Sequence, residues 1–245
     1  MKIPYKEAAE AIKHASWAVA LTGSGISAES GIPTFRGRGG IWTKYPPEEY
    51  ATLDAYTRNP DKVWKLWREL AAQLGDSKPN AAHHVLAELE AMGLLQGVIT
   101  QNVDNLHEDA GSKNVVEYHG NAHWLVCPRC RHRDPLDLTQ HGEHPPYCFC
   151  GTLMKPDVVM FGEPIPTEAL AAAEALTQKC DVLLVVGTTA SVFPSALIPH
   201  NAKDNGAYII EANLEETDLT HTITDAFLQG LATQTLPKLL ELIKQ

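Results

Sequence analysis

The sequence predicts an α/β protein with a doubly wound, mostly parallel sheet that is interrupted by two insertions. Four short apolar segments of strand length alternate with longer segments that have the apolar spacing of helices. A glycine-rich turn follows the first apolar segment, and four cysteines cluster near the middle of the chain. Because strands that alternate with helices pair in parallel, the alternation predicts the sheet. The cysteines predict a separate segment held by a metal.

The predicted elements begin with a helix over residues 5–15 and a buried strand over residues 17–22. Further strands are expected at residues 97–100, 181–186 and 207–212, with helices at 79–92, 167–178, 194–204 and 233–243. Two stretches do not fit this alternation. The aromatic-rich segment 36–78, with a helical pattern after Asn59 and Pro60, is interpreted as a helical insertion. Segment 123–157 is rich in Cys, His and Pro, has no apolar period, and is interpreted as a metal-held insertion.

Composition excludes several classes of protein. The 245 residues are enough to bury a full core without disulfides, and 20 Lys and Arg against 30 Asp and Glu give a net charge of −10. This acid excess, with no basic run, argues against direct nucleic acid binding but is compatible with a lysine-bearing peptide. Glu7 and Glu10 interrupt the cationic start that a signal peptide needs, and no segment has the length of a membrane span. We expect a soluble, cytoplasmic protein.

The cysteine cluster has the composition of a zinc site. Cys127 and Cys130 are separated by two residues, and after seventeen more residues come Cys148 and Cys150, a pair one residue shorter than usual. Four thiolates leave no open coordination position, so the predicted role of the metal is structural. The alternatives are no metal, or a mixed site that recruits a histidine from His123, His132, His141 and His144. The fifth cysteine, Cys180, precedes a core strand and is predicted to be a small buried residue.

The glycine-rich turn resembles a dinucleotide-binding fingerprint. Gly23-Ser24-Gly25 and the following Ile-Ser-Ala28 fit the pattern Gly-x-Gly-x-x-Ala after a predicted strand, which would let a pyrophosphate approach the backbone. An ordinary strand-to-helix turn is the alternative. Residues 31–33, Gly-Ile-Pro, stop the helix early, and no acidic residue ends a second strand about twenty residues later. A standard nicotinamide dehydrogenase is therefore disfavoured.

Seven motifs in order give the chain a family resemblance. The segment from Gly23 to Arg36 is similar to the opening signature of the sirtuins, which are NAD-dependent protein deacylases. Matching motifs follow at residues 100–107, 118–120, 127–150, 155–163, 187–189 and 211–213. The departures are Ser24 in place of alanine, Thr189 in place of serine, and the shortened cysteine pair. The resemblance implies a Rossmann-like NAD-binding domain of residues 1–35, 79–122 and 158–245, a helical insertion of 36–78, and a zinc-binding insertion of 123–157.

The resemblance also implies a reaction and its catalytic residues. In this family the acyl oxygen of an acyl-lysine attacks NAD, nicotinamide leaves, and a ribose hydroxyl must then lose its proton. His119, in Tyr-His-Gly after a short strand, matches the general base, a task that suits an imidazole that is neutral at working pH. Its rival His107 matches a residue that supports the loop before it, so we expect a structural role. Asn102 and Asp104 match the catalytic-site residues that hold the nicotinamide carboxamide.

The remaining site residues are assigned from the same resemblance. The implied NAD contacts are Gly23, Ser24, Gly25, Ile26, Phe35, Arg36, Gln101, Asn102, Asp104, Gly187, Thr188, Thr189, Asn213 and Ala232. The implied peptide contacts are Val158, Phe161, Gly162 and Glu163, where an extended substrate would add a strand and Phe161 would line the acyl-lysine tunnel. A branch of the family that prefers acidic acyl groups carries Tyr-x-x-Arg in the helical insertion. Here Trp67 and Leu70 occupy those positions, which predicts an apolar tunnel that accepts acetyl and longer uncharged groups and rejects succinyl.

Two other functions use the same fold. The first is mono-ADP-ribosyl transfer to a protein, and the second is non-catalytic binding of NAD or ADP-ribose. The presence of His119 together with Asn102 and Asp104 argues against a mere binder, because binding does not require a base. The prediction is therefore an NAD-dependent protein-lysine deacylase, a monomer that binds a structural zinc and uses NAD as co-substrate.

Overall fold

A six-stranded parallel sheet forms the centre of the computed structural model, which describes residues 3–35, 40–138 and 142–245. With strands numbered along the chain, its members are β1 (Ala18–Thr22), β2 (Val98–Thr100), β3 (Val115–Glu117), β7 (Val182–Val186), β8 (Tyr208–Asn213) and β9 (Ala226–Gln229). Their order is β3-β2-β1-β7-β8-β9, and every neighbouring pair is parallel. The predicted parallel sheet is confirmed. Its edge strand β9 was not anticipated.

Helices cover both faces of the sheet because its strand residues alternate between two cores. Val182, Leu184 and Val186 face a core shared with α1 (Ile3–His14), α6 (Ala81–Ala91) and α11 (Ala232–Ile243). Leu183 and Val185 face a second core with α8 (Thr167–Thr177) and α9 (Leu197–Asp204). Strands buried on both faces read as continuous apolar runs, which is why the sequence shows them clearly. The short helices α7 (Leu106–Asp109) and α10 (Asp218–Thr222) lie in loops after β2 and β8.

The helical module consists of α2 (Ile41–Lys44), α3 (Pro47–Tyr50), α4 (Leu53–Arg58) and the long α5 (Pro60–Asp76). The start of α5 follows from the sequence: the Asn59 side-chain oxygen accepts a hydrogen bond from the Lys62 backbone N–H at 3.1 Å, and Pro60 occupies the first turn. One face of α5 buries a row of large apolar side chains, namely Val63, Leu66, Trp67, Leu70 and Leu74. Helices therefore form within the segment whose helical pattern follows Asn59 and Pro60.

The zinc module contains a small antiparallel sheet that the sequence did not predict. Its strands are β4 (Gly120–Val126), β5 (Arg133–Pro135) and β6 (Lys155–Val158), in the order β5-β4-β6. The module touches the helical module through Trp64, which is 1% exposed and packs with Cys127, Cys148 and Met154. None of the helices in the described ranges combines the length and the apolar character needed to cross a membrane.

Candidate active site

A cavity of about 410 Å³ opens at the carboxyl ends of the central strands. The chain builds the sheet outward from β1 through β2 to β3, and then returns to place β7 on the other side of β1. The topological switch point therefore lies between β1 and β7, and ligands of open α/β sheets bind in such a crevice. The cavity is lined by residues from both sides of this point, including Ser24 and Gly25 after β1 and Gly187 and Thr188 after β7. Its volume is within the range of small-molecule sites.

At the glycine turn, the backbone after β1 is in direct contact with the backbone after β7, in the wall of this cavity. The Gly25 N–H donates a hydrogen bond to the Gly187 carbonyl at 2.8 Å, and a Cβ on Gly25 would lie 2.7 Å from the Gly187 Cα. Gly187 itself has φ +62°, a conformation that favours glycine. The turn leads into two 3₁₀ turns, Ser24–Ile26 and Ala28–Ser30, rather than a long helix. The early break predicted at residues 31–33 is confirmed.

The His119 imidazole has one ring nitrogen committed and one available. Nδ1 lies 3.1 Å from the Gln101 carbonyl oxygen, which can only accept, so Nδ1 carries the proton and Nε2 keeps its lone pair. Burial lowers the pKa of His119 below its usual range, against the opposing effect of that hydrogen bond. The histidine is therefore neutral near pH 7. Gly120, which follows it with φ +84°, allows β4 to pass Asp157, whose carbonyl oxygen would lie 2.1 Å from a Cβ at this position.

Ser27 organises the Asn102 and Asp104 side chains, a role that sequence reasoning missed. Its hydroxyl donates to Asp104 Oδ2 at 2.6 Å and accepts from Asn102 Nδ2 at 3.0 Å, while Asn102 Nδ2 also donates to the Gly23 carbonyl at 3.3 Å. Burial raises the pKa of Asp104, although its hydrogen bonds from Ser27 and Leu106 oppose this. Asn102 lines the main cavity, and Asp104 lines a smaller one that adjoins it. Ser27 lies within the glycine motif of residues 23–28, but the sequence alone does not indicate that its partners are Asn102 and Asp104.

His107 lies away from the cavity, in the buried layer below it. Its Nε2 is 2.8 Å from Thr22 Oγ1, whose own proton goes to Thr100 Oγ1 at 2.9 Å, so the histidine donates. The side chain is 1% exposed, and desolvation lowers the pKa of His107 to about 3. A neighbouring ring, His83, packs edge to face against it with centroids 5.0 Å apart. The buried, neutral His107 thus ties α7 to the end of β1 through Thr22.

Gln101, Thr188 and Asn213 form a polar wall across the switch point. Thr188 Oγ1 donates to Gln101 Oε1 at 3.0 Å, and Asn213 Nδ2 donates to the Thr188 carbonyl at 3.0 Å. The Gln101 Nε2 is buried and has no hydrogen-bond partner among the residues that the structure describes. One donor of this wall is therefore buried and unpaired within the described part of the chain. The resemblance had assigned all three residues to NAD, and all three line the cavity.

One side of the cavity is a segment that is hydrogen-bonded to the helical module and to His119. The Phe161 N–H donates to the Ala51 carbonyl at 2.9 Å, and its carbonyl accepts from the Leu53 N–H at 3.0 Å. The Val159 N–H donates to the His119 carbonyl at 2.9 Å, which ties the same segment to the proposed base. All four substrate residues assigned from the sequence line the cavity, namely Val158, Phe161, Gly162 and Glu163.

The cavity wall near Phe161 is aromatic. The Trp42 ring lies 5.2 Å from that of Phe35 and 6.2 Å from that of Phe161, and Trp67 lines the cavity as well. Sequence reasoning missed Trp42, and it also missed Phe193, a lining residue that is 73% exposed. Trp42 lies in the short helix α2 and Phe193 in the loop after β7, and neither belongs to a motif that carries the family resemblance. Three assigned NAD contacts do not line the main cavity: Gly23, Ile26, which is fully buried, and Asp104. Arg36 lies outside the described residues.

The four cysteines come together in the geometry of a metal site. All four sulfur atoms lie within 4.8 Å of one another, with Cys127 Sγ 3.5 Å from Cys150 Sγ and Cys130 Sγ 3.5 Å from Cys148 Sγ. These separations fit four thiolates around one tetrahedral zinc, and Gly151 at φ +80° gives the shortened pair its tight turn.

Histidine does not enter this cluster among the described residues. Of the candidates, His132 pairs instead with Asp134 at 3.0 Å and His144 with Asp61 at 2.9 Å. His141 lies outside the described residues. Cys180 is only 3% exposed and packs in the second core of the sheet, so the predicted burial of this residue is confirmed. The cluster thus fits a four-cysteine structural zinc, whereas a catalytic zinc would need an open position.

Comparisons with known proteins agree with this architecture. The sequence pattern of the Sir2 family matches residues 23–194. An NAD-dependent protein deacylase of Pyrococcus furiosus is 46% identical over 245 residues, covering 98% of each chain. NAD-dependent protein deacylase 2 of Pyrobaculum aerophilum is 50% identical over 228 residues, covering 93% of this chain and 91% of the relative.

Two solved structures bear directly on the cavity. A Sir2 homologue in complex with NAD has 41% identity and a TM-score of 0.92, covering 98% of this chain and 93% of its own. A Sir2 variant with a deacetylated p53 peptide and 3′-O-acetyl ADP ribose has 34% identity and a TM-score of 0.91, covering 98% of each chain. With the sheet, the cysteine cluster and near full-length relatives in agreement, the chain belongs to the Sir2 family of NAD-dependent protein deacylases.

Proposed function

We propose that this protein removes acyl groups from protein lysines, transfers them to ADP-ribose and releases nicotinamide. The observation that carries the proposal is that one cavity holds a neutral histidine, a hydrogen-bonded amide and an aromatic wall, at the switch point of a dinucleotide-binding sheet. NAD supplies a carbon that becomes electrophilic as nicotinamide departs. The protein's own groups must therefore bind the two substrates, exclude water and move one proton.

His119 is the proposed general base. Its Nε2 lone pair faces no competing partner in the described structure, while the Gln101 carbonyl fixes the ring through Nδ1. A neutral imidazole can accept the proton of a ribose hydroxyl at pH 7, and burial keeps the pKa of His119 low enough for the neutral form to dominate. The proton transfers from the hydroxyl oxygen to Nε2, which leaves the hydroxyl oxygen nucleophilic.

Asn102 and Asp104 are proposed to hold the nicotinamide carboxamide. Both amide hydrogens of Asn102 are engaged, by Ser27 and by the Gly23 carbonyl, so its Oδ1 is the atom left to accept from a carboxamide N–H. Asp104 fixes Ser27 from the other side with a 2.6 Å hydrogen bond. This arrangement positions the leaving group before reaction, which lowers the entropic cost of the step.

The other NAD contacts are proposed residue by residue from the resemblance. The glycine turn of Gly23, Ser24, Gly25 and Ile26 would approach the pyrophosphate, with Gly187, Thr188 and Thr189 facing it from β7. Phe35 would cover the reacting sugar, and Arg36 would belong to a cofactor loop that orders on binding. Gln101 would contact a ribose, Asn213 the adenosine ribose, and Ala232 would lie near the adenine. The members of this set that line the cavity are Ser24, Gly25, Phe35, Gln101, Gly187, Thr188, Thr189, Asn213 and Ala232.

The acyl-lysine is proposed to enter between the helical and zinc modules. Val158, Phe161, Gly162 and Glu163 line that side, where an extended peptide would pair with the backbone and give loose sequence preference. Trp67 and Leu70 are each 6% exposed, and neither can neutralise a carboxylate. We infer a preference for acetyl and longer uncharged acyl groups, with rejection of succinyl.

The proposed test is nicotinamide release from NAD with acetyl-, long-acyl- and succinyl-lysine peptides. Release should require both NAD and an uncharged acyl peptide, with acyl-ADP-ribose as the product. His119→Ala should abolish turnover while NAD binding survives. As a matched control, His144→Ala removes an exposed histidine of the zinc module and should leave turnover unchanged. Peptide deacylation that proceeds equally well without NAD would contradict the function, and undiminished turnover of His119→Ala would contradict the base.

Three wider features are part of the proposal. The division into a sheet domain (1–35, 79–122, 158–245) and two insertions (36–78, 123–157) is supported by separate apolar clusters in the sheet layers and in each insertion. The net charge of −10 favours lysine-rich peptide partners over nucleic acid. We propose a monomer that works in the cytoplasm, where thiols stay reduced and available to zinc.

A further inference from the structure

We infer that Glu211 makes this site selective for NAD over its 2′-phosphorylated form, by fixing the orientation of the Asn213 amide. The inference rests on the proposed function, because it takes Asn213 to lie at the adenosine ribose. His119 and Asn102 occupy the β2 and β3 side of the switch point, and Asn213 ends β8 on the other side. A dinucleotide whose nicotinamide end reaches His119 therefore places its adenosine end near Asn213.

Glu211 is a fully buried carboxylate whose acceptor positions are filled by neutral donors. Its Oε1 accepts from Asn213 Nδ2 at 2.9 Å and from Thr217 Oγ1 at 2.6 Å. Its Oε2 accepts from Thr220 Oγ1 at 2.7 Å and from Thr224 Oγ1 at 2.8 Å. A carboxylate offers about four lone-pair positions, so the group acts only as an acceptor toward all its neighbours.

The consequence for Asn213 is a single allowed orientation of its amide. One hydrogen of Nδ2 goes to Glu211 Oε1 at 2.9 Å and the other goes to the Thr188 carbonyl at 3.0 Å. A flipped amide would place Oδ1 against two acceptors and leave both of them without a donor, which is costly in a buried site. Asn213 therefore presents Oδ1 alone to the cavity that it lines. An acceptor suits a ligand hydroxyl, which can donate.

The same wall is unsuited to a phosphate. No lysine or arginine is found among the described residues that line the cavity, whereas sites for 2′-phosphorylated dinucleotides commonly supply an arginine. A 2′-phosphate has acceptor oxygens and up to two negative charges, so it would meet Asn213 Oδ1 with the Glu211 carboxylate directly behind it. Both the hydrogen-bond pattern and the charge therefore favour the free 2′-hydroxyl.

The experiment titrates NAD and NADP against the full-length protein and follows binding by calorimetry. The wild type should bind NAD more tightly than NADP. Glu211→Gln removes the negative charge and can place an amide donor where one of the two acceptors that fix the Asn213 amide stands, the Thr188 carbonyl being the other. The variant should weaken NAD binding about tenfold, the loss expected for one hydrogen bond, without weakening NADP binding. In deacylation assays the KM for NAD should rise about tenfold while kcat at saturating NAD stays within about twofold.

Asp225→Asn is the matched control. Asp225 is also an acid bound to β8, since its Oδ2 accepts from the Ile209 N–H at 2.8 Å, but it lies toward the opposite end of the strand and pairs with Lys203. This variant should lose stability yet keep the wild-type ratio of NAD to NADP affinity. If Glu211→Gln does not fold, as judged by circular dichroism, Asn213→Ser removes the same acceptor and should narrow the same ratio.

The outcomes separate this inference from the proposed function. Equal binding of NAD and NADP by the wild type would overturn the inference, and so would an affinity ratio that neither Glu211→Gln nor Asn213→Ser changes. A wild type that binds neither NAD nor ADP-ribose would overturn the proposed function itself.

Discussion

Replacing Gly25 by alanine should destabilise the fold and weaken NAD binding together. The added Cβ would lie 2.7 Å from the Gly187 Cα and 2.8 Å from its carbonyl oxygen, both of them backbone atoms that cannot move as a flexible side chain would. Overpacking of this kind costs about 1–3 kcal/mol, which for a chain of this length lowers Tm by about 2–12 °C. Because the shift separates the two loops that frame the cavity, the KM for NAD should rise as well.

Gly75→Ala is the matched control for this substitution. Gly75 lies in α5, and no heavy atom outside its immediate surroundings falls within 4 Å of a Cβ built there. Alanine in a helix is about 0.5–1 kcal/mol more favourable than glycine, so this variant should melt slightly above the wild type with unchanged kinetics. Thermal melts by circular dichroism and NAD titrations on both variants complete the test. If Gly25→Ala melts at or above the wild-type temperature, the close backbone contact does not constrain the fold as argued.

Three more predictions concern the zinc module, acid stability and acyl choice. Cys148→Ser should lower the zinc content below one ion per chain and lower Tm, because the metal holds the small antiparallel sheet; a full zinc content with an unchanged melt would refute this. The unfolding free energy should fall as pH drops below about 6.5, by up to about 1.4 kcal/mol per pH unit for each histidine, because unfolded His83 and His107 gain protons that the folded forms, with pKa values lowered to about 4 and about 3, do not. Urea melts that give equal stability at pH 7 and pH 5 would contradict that sign. The double variant Trp67→Tyr, Leu70→Arg should gain activity on succinyl-lysine, measured as nicotinamide release, and continued inactivity on succinyl would count against the tunnel assignment.

The sequence predicted the parts of the fold whose signals are local. Continuous apolar runs revealed β1, β2, β7 and β8, because strands covered on both faces need apolar residues at every position. The helical insertion was visible through the Asn59 cap. Edge strand β9 was not predicted because it is short and partly exposed, with Gln229 at its end.

The small antiparallel sheet of the zinc module was not predicted, for a different reason. Its strand β5 is three residues long, Arg-Asp-Pro, and has no apolar residue besides proline to mark it. Such strands form because the metal and the pairing with β4 hold them in place, and neither effect leaves a periodic pattern in the sequence. The cysteine spacing revealed the metal site and not the sheet around it.

In the candidate site, too, only part of the arrangement could be predicted from the sequence. Motif resemblance named His119, Asn102 and Asn213, but only the folded chain shows the partners that orient them, namely the Gln101 carbonyl, the Ser27 hydroxyl and the Glu211 carboxylate. These pairs are separated by 2 to 75 positions along the chain. Contacts between distant residues depend on strand register and loop geometry, which local patterns do not encode.

Helix α5 contacts both the cysteine cluster and the cavity wall. One side carries Trp64, which packs on Cys127 and Cys148, and the next turn carries Trp67 at the cavity wall. On the proposed function, a substitution of Trp67 would change the wall that the acyl group meets, whereas a substitution of Trp64 would change the packing on the cysteines. Acyl preference and the packing of the metal site would then depend on different side chains of one helix.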